Sequence, residues 1–97
     1  MDEIDDVLAR IQDQEEHLAL VQDQVNRLEV TGLAGRGEVT ARVRGTGELV
    51  EVVIDPWLLR GDVATVEALV VEAVNDALHR RTAEIERRFA PLLDPAR

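Results

Sequence analysis

Arg80 and Arg81, followed seven residues later by Arg87 and Arg88, with His79 beside the first pair, are the residues whose type and spacing could do chemistry. Seven residues are two turns of a helix, so the two pairs return to one side and make a basic stripe. Guanidinium groups arranged this way contact backbone phosphates without reading bases, and they release counterions as they bind. The same spacing also permits a solvated face on which Glu84 and Glu86 pair with the arginines.

Catalytic chemistry has no comparable footing. His17 and His79 occupy polar-face positions of helical patterns, and the chain has no His-Glu-x-x-His, no glycine-serine elbow and no paired-histidine metal spacing. Gly32, Gly35 and Gly37 lack the following Lys-Ser or Lys-Thr of a phosphate cradle, and a strand follows them where an anion site needs a helix N-terminus. They read as turn glycines. Acidic pairs such as Glu15-Glu16 have no pocket to drive their pKa values apart. The absence of cysteine excludes a thiolate nucleophile, a disulfide framework and sulfur-ligated zinc. The chain is expected to be no enzyme and to carry neither cofactor nor metal.

Charge bears directly on the stripe. The 97 residues carry 20 acidic and 11 basic side chains, all of the latter arginine, for a net charge of −9 that repels nucleic acid and anionic membranes at long range. The sign is uneven, however. Residues 1–30 have a net charge of −7, residues 31–60 are neutral, and from Ala77 onward five arginines face Glu84, Glu86 and Asp94. No apolar run approaches the roughly 18 residues of a membrane span. The opening Met1-Asp2-Glu3-Ile4-Asp5-Asp6 is acidic where a secretory signal is basic, so a cytoplasmic location is expected.

The elements that must position these residues are legible from periodicity. Ile4, Ile11, Leu18 and Val25 recur every seven residues, and Val7, Gln14, Val21 and Leu28 form a companion series, which predicts one long amphipathic helix without Gly or Pro before Gly32. Glu38 to Arg44 alternates polar and apolar, Gly45-Thr46-Gly47 turns the chain, and Glu48 to Ile54 is a second strand. Val30 and its neighbours add a short first strand to a small antiparallel sheet of two or three strands. Asp55-Pro56 stops the sheet. Gly61-Asp62 then caps a second long helix with the apolar series Val66, Leu69, Val70, Ala73, Val74, Ala77, Ile85 and Phe89, ending near Pro91. One α+β domain over 1–93 and a loose tail over 94–97 are predicted.

The lengths of these elements predict assembly. A helix of some 25 residues spans roughly 38 Å, against a radius of gyration near 13 Å for a compact chain of this size. The helices must overhang the sheet. Only Trp57 and Phe89 are aromatic, so the core is aliphatic and small. An overhanging heptad seam of Ile4, Ile11, Leu18, Val21, Val25 and Leu28 needs a second copy to cover it, and a homodimer is expected.

Leu28-Glu29-Val30-Thr31-Gly32, the stretch Gly37 to Val43, Ile54-Asp55-Pro56 followed by Leu58-Leu59, and Ala73-Val74-Asn75-Asp76-Ala77 together resemble the signature blocks of the YbaB/EbfC family of bacterial nucleoid-associated proteins. The resemblance covers roughly residues 4 to 90. It implies an intertwined, tweezer-shaped homodimer that binds duplex DNA with little sequence preference and organises the chromosome or modulates gene expression. This chain departs from the family pattern along the first helix, where Ala9, His17 and Leu20 stand in place of lysines and only Arg10 and Arg27 are cationic. The implied DNA contacts are therefore His79, Arg80, Arg81, Arg87 and Arg88, with Arg10 and Arg27. The alternative is an acidic paralogue that keeps the dimer but serves as an adaptor or chaperone-like platform for a basic protein, with weak or no DNA binding.

Overall fold

The structure is a computed structural model that describes residues 3–93, so the tail expected over 94–97 lies outside the described residues. Helix α1 (Glu3–Arg27) leads into strands β1 (Glu29–Ala34), β2 (Val39–Arg44) and β3 (Leu49–Ile54). A short 3₁₀ helix (Pro56–Arg60) then connects to helix α2 (Val63–Leu93). Helix α1 has no internal Gly or Pro, and Glu3, Asp5 and Asp6 in its first turn and Arg27 in its last all complement the helix dipole. The chain leaves it through a tightened turn, Leu28 N–H donating to Val25 C=O at 3.1 Å, as β-branched Val30 and Thr31 take over.

The strands pair antiparallel in the order β1-β2-β3. The register lines up Ala34, Val39 and Ile54 in one row and Gly32, Ala41 and Val52 in the next, all on one face. Against that face α2 lays Ala73 and Ala77, both fully buried. Val39, Ala41, Val43 and Ala34 complete a core of small side chains, closed by the half-buried Leu69, Val70, Val74 and Leu78. The apolar series predicted for α2 is buried or half-buried throughout. Asp62 caps this helix as expected, its carboxylate accepting from Ala64 N–H at 3.2 Å. Pro91 lies inside the last turn, where it lacks the N–H that would bond the Arg87 carbonyl, and the helix nevertheless runs on to Leu93, two residues past the expected end.

Gly32 departs from its sequence reading. It is not a turn residue but the middle of β1, and a Cβ there would lie closer than 3.0 Å to the backbone of Ala73 and Ala77. Strand and helix can approach this closely only without a side chain between them. Gly35 and Gly37 do form the β1–β2 turn, with φ of 62° and 87°.

Both helices overhang the sheet as predicted. The radius of gyration is 19.9 Å and the principal extents are 74 × 22 × 15 Å. The predicted seam of α1 divides in two. Val21 and Val25 are buried and Leu28 half-buried where the helix joins the body, whereas Ile4, Ile11 and Leu18 are 64%, 45% and 41% exposed. The seam is continuous in sequence, but only its last turns meet the rest of the chain.

Candidate nucleic-acid interface

Ala73 and Ala77 decide how α2 presents its arginines. Successive residues of a helix are about 100° apart, so with Ala73 and Ala77 against the sheet, Arg80 and Arg87 fall on one flank and Arg81 and Arg88 on the other. Glu84 lies between the flanks. The four arginines expected to share one side are therefore split by the core contact, and a carboxylate sits where the two halves meet.

Each of the four has a defined partner. Arg80 Nε donates to Asp76 Oδ2 at 2.9 Å, and the same oxygen accepts Leu33 N–H of β1 at 2.8 Å. Arg81 Nε donates to the Gly45 carbonyl at 2.7 Å, which ties α2 to the β2–β3 turn. Arg87 Nε donates to Glu84 Oε2 at 3.2 Å, and its terminal nitrogen donates to Oε1. Arg88 Nε donates to that same Oε1 at 3.0 Å, and its Nη1 reaches Gln24 of α1 at 3.3 Å. Bonds from Arg87 foremost, and also Arg88, hold the Glu84 carboxyl below its ordinary range, and Glu84 in turn raises the Arg87 guanidinium.

Asp76 is held low chiefly by the Leu33 N–H and then by Arg80. A carboxyl depressed in the folded state binds its proton less readily than in the unfolded chain, so its stabilisation is present above the ordinary aspartate pKa and fades as pH falls through the depressed value. Urea titrations between about pH 5 and pH 2 should show Asp76→Asn losing less stability on acidification than the parent chain; equal losses would mean the Leu33 bond does not form.

A groove of about 500 Å³ runs between β1 and this part of α2, lined by Leu28, Val30, Thr31 and Ala83 and by two carboxylates, Glu29 and Glu84, beside Arg80 and Arg87. The other sequence candidates lie apart. Arg27 pairs with Asp23 at 3.1 Å with both side chains exposed. Arg10 is exposed, about 25 Å further along α1, and like Arg36 and Arg60 it has no carboxylate within 4 Å among the described residues. His17 and His79 are both exposed. Sequence reasoning missed Asp76, Gln24 and the Gly45 carbonyl as partners. Asp76 was detectable as the residue four before Arg80, but the other two come from distant segments and leave no local signal. Arg36 in the β1–β2 turn and Arg60, stacked 4.2 Å over the Trp57 ring, were also not singled out.

No group of three His, Asp or Glu side chains among the described residues could hold a metal ion, and no described helix is long and apolar enough to cross a membrane. The family model described as the YbaB/EbfC DNA-binding family matches residues 1–96. A nucleoid-associated protein of Rhodococcus jostii is 39% identical over 87 residues, covering 89% of this chain and 77% of the relative. One from Mycolicibacterium vanbaalenii is also 39% identical over 87 residues, covering 89% and 79%. In fold, the chain is similar to the crystal structure of an uncharacterized protein from Helicobacter pylori, with a TM-score of 0.73 at 22% identity over 96% of this chain and 98% of that one.

Proposed function

The chain belongs to the YbaB/EbfC DNA-binding family, and from that premise we propose that it is a nucleoid-associated protein that binds duplex DNA as a homodimer, with little sequence preference, in the bacterial cytoplasm. Arginine–phosphate contacts hold the duplex, and no catalysis, cofactor or membrane takes part. Binding organises the chromosome or modulates gene expression. The observation that carries this reading is the arginine cluster of α2: between Ala77 and Leu93 the four arginines Arg80, Arg81, Arg87 and Arg88 stand against Glu84 and Glu86, a local net charge of +2 in a chain of net charge −9. Arg81, committed to the Gly45 carbonyl, fixes the helix against the sheet. His79, Arg10 and Arg27 are secondary contacts.

Phosphate contacts without base readout have a measurable signature in salt. Fluorescence anisotropy with a random-sequence duplex should show binding at about 50 mM salt that falls steeply by about 200 mM. No binding at the lower salt would reject the reading.

The bare half of α1 supports the homodimer. Ile4, Val7, Leu8, Ile11 and Leu18 expose an apolar row that a second copy would cover. Leu18→Asp should halve the mass measured by sedimentation while leaving helicity nearly intact, because Leu18 lies outside the buried core of its own protomer. Val25→Asp should instead unfold the protomer, since Val25 is 9% exposed. Unchanged mass for Leu18→Asp would remove this seam from the interface.

One observation favours a second reading. Asp76 and Glu84 engage three of the four stripe arginines inside the protomer, and residues 1–30 carry a net charge of −7. An acidic dimer of this kind suits a basic protein as partner. Failure to bind duplex at about 50 mM salt, together with retention of one basic protein after nuclease treatment, is the result this adaptor reading requires.

A further inference from the structure

We propose that Glu84 is a built-in competitor for the DNA phosphate, a carboxylate that occupies Arg87 and Arg88 in the free protein and sets how tightly the duplex is held. The inference rests on the DNA-binding reading above and adds to it the residue that limits affinity.

The geometry is specific to Glu84. Its two oxygens receive three guanidinium nitrogens, two from Arg87 and one from Arg88. This two-pronged contact with Arg87 is the one a phosphate diester would make with the same fork of donors. Glu84 can serve both arginines because it lies three and four residues before them, at the angular position between the flanks of α2. Gln24 takes a further nitrogen of Arg88, which orients that side chain beside Glu84. The Arg87 side chain is 72% exposed, so a phosphate can approach it from solvent.

Glu84 is about a quarter exposed but its partner Arg87 is open to solvent, so a duplex phosphate reaches Arg87 first and competes with Glu84 there. The displaced carboxylate remains beside the incoming phosphate, however, and like charges at that distance oppose binding. Glu84 therefore lowers affinity without abolishing it. Glu86, two residues on, has no arginine within 4 Å among the described residues and does not have this role, although its charge is the same.

Anisotropy titrations at about 50 mM salt separate the possibilities. Glu84→Gln should tighten duplex binding roughly fivefold to tenfold, with the gain shrinking toward about 200 mM salt as screening grows. Glu86→Gln, which changes net charge equally, should gain less than about twofold. Circular dichroism should give the same helicity for both. An affinity for Glu84→Gln no greater than that of Glu86→Gln overturns the inference while the DNA-binding reading stands, provided the Arg87→Gln, Arg88→Gln double variant loses binding. If that double variant binds as well as the parent chain, the duplex lies on another face and the inference falls while DNA binding itself stands. Binding by Glu84→Gln alone, with none by the parent chain, overturns the inference as stated, because a competitor that only lowers affinity leaves the parent chain able to bind. No binding by either chain overturns both readings.

Discussion

Replacing Gly32 with valine should abolish the folded protomer. The new Cβ would lie closer than 3.0 Å to backbone atoms of Ala73 and Ala77, which belong to α2 and cannot rotate out of the way as a side chain can. Strand β1 is an edge strand, but it cannot retreat from α2 without cost. Its next residue, Leu33, is bonded to Asp76 on the same helix at 2.8 Å, so sliding or lifting the strand breaks that bond and leaves the carboxylate poorly satisfied. Overpacking in a core that can adjust costs about 1–3 kcal/mol, and a clash between two backbones should exceed about 4 kcal/mol. A small domain has only about 5–10 kcal/mol in total, so most of the stability is removed. Urea unfolding followed by circular dichroism is the measurement. Thr31→Val, one residue away on the exposed side of the same strand, should change stability by less than about 0.5 kcal/mol. If Gly32→Val unfolds at the same urea concentration as Thr31→Val, then β1 is not seated on α2 as described.

The second large effect is on DNA. Changing Arg80, Arg87 and Arg88 together to glutamine should weaken duplex binding by roughly 30-fold or more at about 50 mM salt, and the slope of log affinity against log salt should become shallower by about 3 for each protomer engaged. Arg81 is left out deliberately. Its bond to the Gly45 carbonyl joins α2 to the sheet, so its loss would confound stability with binding. The three chosen arginines pair with the half-buried carboxylates Asp76 and Glu84 and with Gln24, none of them in the core, and Asp76 keeps its Leu33 N–H, so the variant should keep its helicity and lose at most about 1–2 kcal/mol of stability. Unchanged affinity and salt slope would place the duplex on another face.

Much of the architecture is legible in the chain because it depends on local rules. The seven-residue recurrence from Ile4 to Val25, the alternation from Glu38 to Arg44, the Asp55-Pro56 stop and the Asp62 cap each act within a few residues, and each element forms where its pattern places it. Two readings needed more. Gly32 has the same composition signal as the turn glycines Gly35 and Gly37, and nothing in its neighbours says that a helix some forty residues later will press its backbone against it. The arginine stripe was visible as spacing, but spacing on a helix fixes only relative angles.

The sequence by itself determined that a long acidic helix, a small antiparallel sheet of two or three strands and a second helix bearing clustered arginines would form, because hydrophobic period, capping and turn chemistry are properties of neighbours. Only the tertiary structure decided which way that second helix faces. Packing Ala73 and Ala77 on the sheet sets its rotation, and that rotation assigns Arg81 to a backbone carbonyl, Arg80 to Asp76, and Arg87 with Arg88 to Glu84. Charge on a chain can be counted, but its availability depends on what the fold brings within hydrogen-bond reach.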